Sequence, residues 1–191
     1  RIKGVFSGSL SYIFNTFSEK DALFSEILRE AMDLGYTEPD PREDLSGNDV
    51  GRKLLILARE LDLSNEFSDI QIENLIPESL QDGDVKGFLE RLAILDEKFS
   101  KIKKAQKPGH VLRYVGDLSG DLQKEKGKLE VKLISVPKES ALGQIKGSDS
   151  IIEIYTESYG QHPLVIQGAG AGAAVTARGV FGDILRIAEK G

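Results

Sequence analysis

The 191-residue sequence contains no cysteine, no tryptophan and only two histidines. The absence of cysteine excludes disulfide bonds, thiolate catalysis and zinc sites built on cysteine. The two histidines, His110 and His162, lie far apart in the sequence without a partner at metal spacing, so we assign no metal-binding residue. A chain without cysteine also fits the reducing cytoplasm, which is the location that we expect.

The sequence also lacks long apolar runs and an excess of positive charge. No apolar run approaches the length that spans a bilayer, and no signal-like segment opens the chain. The net charge of −6 argues against a nucleic-acid surface and against an anionic membrane partner. The chain begins at Arg1 and runs at once into an apolar segment, so we expect a fragment of a longer protein.

The apolar pattern changes its period along the chain. A spacing of three to four residues predicts helices over residues 7–18, from Ser25 to Gly35, from about Gly47 to Leu61, and over residues 84–105. Ser7 or Ser9, then Ser25 and Ser46, are the expected N-caps. Alternation predicts strands within residues 67–76, 110–118, 129–134, 150–156 and 163–167, before a final helix through Ile187. The sequence therefore predicts an α+β (mixed α/β) fold, a β-sheet covered by helices.

The densest charge pattern runs from Glu38 to Lys53, where sixteen residues hold five carboxylates and three cations. Pro39 and Pro41 stiffen the first half of this acidic loop. In the helix that follows, Asp49 and Lys53 are four residues apart and share a face. The pattern fits a site for a small zwitterionic substrate. It also fits an exposed ion pair that contributes a few tenths of a kcal/mol.

A glycine-rich turn, Gly168-x-Gly170-x-x-Ala173, follows the last strand and opens the last helix. This spacing matches the dinucleotide-binding fingerprint, in which glycines let a phosphate approach a helix N-terminus. The fingerprint also needs a second strand that ends in an acid about 20 residues later, whereas the sequence ends at Gly191. We expect either a turn that completes a nucleotide site built mostly elsewhere or a packing turn.

Three segments, in this order, resemble homoserine dehydrogenases of fungi and plants and the matching part of bifunctional aspartokinase–homoserine dehydrogenases. They are residues 4–15, 35–59 and 168–177, and the resemblance covers essentially the whole chain. It implies the interconversion of L-homoserine and L-aspartate 4-semialdehyde in threonine, methionine and isoleucine biosynthesis. It also implies an N-terminal Rossmann domain that this chain lacks, and a plastid location if the source is a plant.

The resemblance assigns roles position by position. It implies that Asp49 and Lys53 are catalytic, that Glu38, Asp44, Tyr36, Gly8 and Ser9 bind the substrate, and that Gly168, Gly170, Ala171 and Gly172 meet the cofactor, NADP or NAD. A second catalytic lysine and a cation site of the family lie upstream. Ser9 stands where the family often has Thr, Glu43 where Asp is usual, and Gly51 where Ala is usual. Gly51 costs up to about 1 kcal/mol in helix propensity, so we expect it to soften that helix.

The resemblance divides the chain into residues 1–162, for substrate binding and dimerisation, and residues 163–191, which return to the nucleotide domain. A homodimer is expected because the strands from His110 to Thr156 offer an apolar face that needs cover. Two other interpretations stay open: a dimerisation module without turnover of its own, and an amino-acid-binding module.

Overall fold

Six strands form one mixed sheet in the computed structural model, which describes residues 1–170 and 172–189. The strands are β1 (Ile2–Val5), β2 (Gln71–Ile72), β3 (His110–Ser119), β4 (Lys128–Pro137), β5 (Asp149–Ile154) and β6 (Leu164–Ala169). Their order across the sheet is β2-β4-β3-β1-β5-β6. Only the β2–β4 pair of this sheet is parallel. The predicted mixed α/β class is confirmed.

Eight α-helices lie in the described part of the chain. They are α1 (Gly8–Glu19), α2 (Phe24–Asp33), α3 (Pro41–Leu45), α4 (Asn48–Arg59), α5 (Val85–Glu90), α6 (Ala93–Lys104), α7 (Ala141–Gln144) and α8 (Ala173–Glu189). Ser7 caps α1 by accepting a hydrogen bond from the Leu10 N–H, as predicted. Gly35 follows the end of α2 with φ of 72°, as expected of a helix-ending glycine.

Two of the expected N-caps are wrong. The N-cap of helix α2 is Leu23, two residues before the predicted Ser25, and the Ser25 hydroxyl donates to Asp96 on α6 instead. The N-cap of α4 is Gly47 rather than Ser46. Ser46 is instead the C-cap of α3, a five-residue helix that occupies the acidic loop.

The main core lies between one face of the sheet and helices α1, α2, α4 and α6. Four phenylalanines of α1, α2 and α6 pack together at its centre, with the rings of Phe24 and Phe99 stacked 3.7 Å apart. Burial of each such ring contributes on the order of 1.5–3 kcal/mol. This core fixes α1 and α4 side by side against β3.

The opposite face of the sheet carries charge and a small apolar cluster under α7. There the buried Arg113 guanidinium donates to the carbonyls of Leu142 and Gly143, both at 2.8 Å, and so anchors α7. Nearby, Asp117 and Glu153 are also buried, at 4% and 6% exposure. The apolar face of β3 and β4, which motivated the expected homodimer, is therefore largely buried within this chain.

Two predicted elements differ from the observed ones. The helix over residues 84–105 is two helices, α5 and α6, separated by a break at Arg91, and Phe88 and Phe99 both lie in the core. The strand within residues 67–76 is only the two-residue β2, preceded by a 3-10 turn at Phe67–Asp69. Polar side chains bind the backbone on either side of β2, since Asp69 accepts from the Glu66 N–H and Asn74 from the Ile76 N–H.

Candidate functional site

A polar cleft of about 470 Å³ opens where β1 passes into α1, opposite α3 and α4. All seven residues predicted for substrate binding and catalysis line it: Gly8, Ser9, Tyr36, Glu38, Asp44, Asp49 and Lys53. Four carboxylates (Glu38, Glu43, Asp44, Asp49) face two cations (Arg52, Lys53), so the cleft is acidic overall. An acidic cleft with a lysine at its floor suits a ligand that carries a positive group.

The floor of the cleft is the ion pair between Asp49 and Lys53. Its N–O distance is 2.8 Å, and the Lys53 ammonium also donates to the Phe6 carbonyl at 2.9 Å, where β1 ends. Both side chains are about half exposed, at 53% and 48%. A lysine ammonium has three N–H groups, so one remains for a ligand in the cleft. The second contact fixes the ammonium more tightly than an exposed ion pair alone would.

Asp44 forms the back wall and joins three segments of the chain. Its Oδ1 accepts the Ser9 hydroxyl at 2.6 Å, and its Oδ2 accepts the Glu38 N–H at 2.9 Å. The Ser9 hydroxyl also lies 2.9 Å from that of Ser7. Burial raises the pKa of the Asp44 carboxyl above its ordinary value, although both hydrogen bonds oppose this shift. This bracing role, beyond substrate contact, was not predicted from the sequence.

The N-terminus of α1 forms a second wall, joined to the first by the Ser9–Asp44 hydrogen bond. Gly8 and Ser9 are its first two residues, and the first N–H groups of a helix have no partner within the helix. Such a helix end favours a negative group of a ligand. The Tyr36 ring lies at the rim, stacked on Tyr12 with 4.6 Å between the ring centroids. The cleft thus presents carboxylates on one side and a helix N-terminus on the other.

Two glycines place α4 in the cleft. Gly47 has φ of 77°, and a side chain there would also collide with the Tyr114 hydroxyl. Gly51 is buried, and a Cβ atom would lie 2.8 Å from the Ile72 Cδ1 and 3.2 Å from the Phe67 ring. Helix α4 continues through Gly51 without a break, and Ile72 and Phe67 fill the space that a methyl group would take. The expected softening of the helix stays a prediction.

The glycine-rich turn lies at the same end of the sheet. Val5 pairs with Ile151 on β5, and the next residue of that strand toward the cleft, Ser150, pairs with Gly168 on β6. Because neighbouring strands lie about 4.8 Å apart, Gly168 is two strands, or about 10 Å, from the line of β1. A side chain on Gly170 would collide with Ser150, whereas Gly168 and Gly172 face open space. Ala171 lies outside the described residues.

Comparisons with known proteins agree with this geometry. The family model described as homoserine dehydrogenase matches residues 1–185. The chain belongs to the homoserine dehydrogenase family. A homoserine dehydrogenase of Emericella nidulans is 47% identical over 202 aligned positions, covering all of this chain and 54% of the relative. The chain therefore spans about half the length of that fungal relative.

Other similar proteins are also covered only in part. The chloroplastic bifunctional aspartokinase/homoserine dehydrogenase 1 of Zea mays is 47% identical over 99% of this chain and 20% of its own length. Among solved structures, a putative homoserine dehydrogenase from Archaeoglobus fulgidus has a TM-score of 0.68 at 26% identity, covering 97% of this chain and 49% of that one. A Candida auris protein of unknown function has a TM-score of 0.83 at 42% identity, covering 98% and 53%.

The structure shows two features of this homoserine dehydrogenase family member that the sequence analysis missed. The first is α3, which the sequence Asp40-Pro41 could have revealed, because Asp is a favoured N-cap and Pro a favoured first helical residue. The second is the Phe6 carbonyl as a partner of Lys53, for which the sequence carries no signal. In the described part of the chain, no helix combines the length and apolar character of a membrane span.

Proposed function

We propose that this chain forms the substrate-binding half of an NAD(P)-dependent homoserine dehydrogenase. The enzyme would interconvert L-homoserine and L-aspartate 4-semialdehyde, an oxidoreductase step in threonine, methionine and isoleucine biosynthesis. The observation that carries the proposal is the cleft, which holds four carboxylates and Lys53 beside a helix N-terminus. The match of the family model to residues 1–185 supports it.

Each wall of the cleft suits one end of L-homoserine. The carboxylates of Glu38 and Asp44 would bind the substrate ammonium, since a buried positive group needs negative partners. The N–H groups of Gly8 and Ser9 at the start of α1 would donate hydrogen bonds to the substrate carboxylate. Tyr36 at the rim would limit the entry of water. In this orientation the substrate hydroxyl points toward Lys53.

Lys53 would carry the proton of the substrate hydroxyl. Its ammonium is held between Asp49 and the Phe6 carbonyl, with one N–H left for the substrate oxygen. Asp49 keeps this ammonium oriented through the ion pair at 2.8 Å. A second lysine, supplied by the nucleotide-binding domain of the family, would share this task, and the two lysines are not distinguished by the geometry of this chain.

The cofactor, NADP or NAD, supplies the hydride acceptor or donor when bound. Gly168, Gly170 and Gly172 would contact it, together with Ala171, which lies outside the described residues. The open space at Gly168 and Gly172 and the φ of 122° at Gly172 fit a turn whose backbone is approached by a ligand. The turn lies at the end of the sheet that carries the cleft.

We propose the domain division at residue 163 because β6 and α8 lack cover. Every described residue of β6 is exposed, and α8 exposes a row of large apolar side chains: Val175, Val180, Phe181, Ile184, Leu185 and Ile187. An uncovered apolar row of this length indicates a surface that packs on another domain. Residues 163–191 would therefore belong with a nucleotide-binding domain, and residues 1–162 with the substrate.

A homodimer and a cytoplasmic or plastid location complete the proposal. For the dimer, the support is the second face of the sheet, where the short helix α7 covers a small apolar cluster and the buried Asp117 pairs with Arg1. Sedimentation at micromolar protein concentration tests it, and a monomer would contradict it.

The complete enzyme, meaning these 191 residues joined to a nucleotide-binding domain, tests the function. We expect L-homoserine-dependent reduction of NADP⁺ or NAD⁺ by the complete enzyme and none by the 191 residues alone. Activity of the 191 residues alone would contradict the division of roles. A module that only binds an amino acid is the second candidate, favoured by the same acidic cleft. Calorimetry with L-homoserine and no cofactor, followed by the absence of turnover in the complete enzyme, would support it.

A further inference from the structure

Arg42 holds α3 through contacts on every nitrogen of its guanidinium. Nε donates to both carboxylate oxygens of Asp40 at 3.0 Å, and Nη2 donates to Asp40 Oδ2 at 2.7 Å. Nη1 donates to the carbonyls of Gln81 and Gly83 at 3.2 and 3.0 Å. The guanidinium carbon also lies 5.5 Å from the centroid of the Phe88 ring. The side chain thus joins the start of α3 to the turn before α5.

This contact set is stronger than a surface ion pair. The side chains of Arg42 and Asp40 are 14% and 24% exposed, and the pair is bidentate, a geometry that adds both energy and direction. Asp40 is also the N-cap of α3, because it accepts the Arg42 N–H at 3.0 Å. The Arg42 guanidinium keeps the pKa of the Asp40 carboxyl below its ordinary value. Helix α3 therefore begins at a fixed point of the structure.

The start of α3 is connected to Asp44 and Glu38, the carboxylates proposed to bind the substrate. Asp44 is on α3 itself, and its Oδ2 accepts the Glu38 N–H, so a shift of this five-residue helix moves Asp44 and Glu38 together. Arg42 does not line the cleft, and its guanidinium is engaged elsewhere. We propose that Arg42 is a positioning residue that holds α3 so that Glu38 and Asp44 meet the amino group of the substrate. This inference rests on the proposed function.

The test compares three variants of the complete enzyme, Arg42→Gln, Arg42→Lys and Arg91→Gln. Arg91 is the matched control, because its guanidinium also donates to backbone carbonyls, those of Gly87 and Ser79, without touching α3. For Arg42→Gln we expect KM for L-homoserine to rise about tenfold, equivalent to about 1.4 kcal/mol. The kcat value and KM for the cofactor should stay within about threefold of wild type. The KM of Arg42→Lys for L-homoserine should lie between those of wild type and Arg42→Gln, because an ammonium keeps the charge but lacks the two-pronged geometry of a guanidinium.

A second comparison separates positioning from general stability. In a Glu38→Gln background, Arg42→Gln should add much less than its full effect on KM, because both changes act on one contact. Additive effects, an unchanged KM in Arg42→Gln, or an equal rise in Arg91→Gln would overturn the inference. So would failure of both Arg42 variants to fold, which would show a role in the fold as a whole. A wild-type complete enzyme without dehydrogenase activity would instead overturn the proposed function.

Discussion

The Ser9 hydroxyl donates to the Asp44 carboxylate at 2.6 Å, across 35 residues of sequence. The contact joins the first turn of α1 to α3, and therefore joins the wall that suits a substrate carboxylate to the wall that suits an ammonium. A single hydroxyl thus couples the two walls of the cleft.

Replacing Ser9 with Ala should leave a partly buried carboxylate oxygen of Asp44 without its partner. An unsatisfied buried group costs about 1–3 kcal/mol and a partly buried one less, so we expect a lower melting temperature and a higher KM for L-homoserine. Ser9→Thr is the control, because it keeps the hydroxyl, and both quantities should stay near wild type. Equal losses in the two variants would show that side-chain volume, rather than the hydrogen bond, matters at this position.

The pH dependence of substrate binding should reflect Asp44. Burial raises its pKa in the folded protein, so the folded state holds this proton more tightly than the unfolded chain does. Stability linked to Asp44 is then fully present below the ordinary aspartate pKa of about 3.9 and is lost as the pH rises through the folded pKa. The ionised form is the one that binds an ammonium group. We therefore expect the acid limb of kcat/KM to lie above about pH 3.9.

The profile of Asp44→Asn checks this assignment. That variant should bind L-homoserine more weakly at neutral pH, and its acid limb should lose the contribution of Asp44. Its melting temperature should also change less with pH than that of wild type across the same range. An unchanged acid limb in Asp44→Asn would assign the titration to another group.

Lys53→Ala in the complete enzyme should lower kcat by at least about 100-fold, since a positioned acid or base contributes about 10²–10⁴. The fold should persist, because a half-exposed ion pair contributes at most about 1 kcal/mol. The matched control is Lys101→Ala, which removes the exposed pair with Glu97 at the same four-residue spacing on α6. Near wild-type turnover of Lys53→Ala, measured at saturating substrate, would exclude the proposed catalytic role.

The periodicity of the sequence was enough for α1, α4 and the β3–β4 hairpin, because each buries a regular apolar face. It failed at residues 84–105, where an uninterrupted helical pattern hides a break at Arg91, whose side chain donates to the Ser79 carbonyl. It also failed at Ser25, whose hydroxyl is used by Asp96, a residue distant in sequence. A local sequence pattern predicts local structure. The break at Arg91 and the role of Ser25 depend instead on residues that lie outside the local pattern.

In the candidate site, too, some contacts could be predicted from the sequence and others could not. The pair Asp49–Lys53 follows from a spacing of four residues and could be predicted. The Lys53 contact with the Phe6 carbonyl, the Ser9–Asp44 contact and the Arg42 contacts with Gln81 and Gly83 join residues that are 35 to 47 positions apart, and no short pattern encodes them. The cost of Gly51 was evident from helix propensity, whereas the close approach of Ile72 became evident only from the packing.

Gly47 and Gly35 offer a direct test of what places α4. Both have left-handed backbone, with φ of 77° and 72°, so Ala at either position costs about 1–2 kcal/mol of strain. Only Gly47 faces an obstacle, the Tyr114 hydroxyl, which donates to the Glu73 carbonyl at 2.6 Å. Gly47→Ala should therefore lower the free energy of unfolding by about 1–3 kcal/mol more than Gly35→Ala. Denaturant midpoints measure the difference, and equal losses would mean that Tyr114 moves without cost.

The exposed apolar side chains of α8 should contribute to stability only when a nucleotide-binding domain is joined to the chain. Phe181 and Ile184 are 62% and 55% exposed, and burial of such side chains contributes about 1.5–3 kcal/mol each. Phe181→Ser and Ile184→Ser should lower the melting temperature of the complete enzyme and raise KM for the cofactor, while the 191 residues alone keep their melting temperature. Ile94→Ser, on α6, is the control for an exposed apolar residue away from α8. Equal melting temperatures for all three variants in the complete enzyme would show that α8 packs on nothing there.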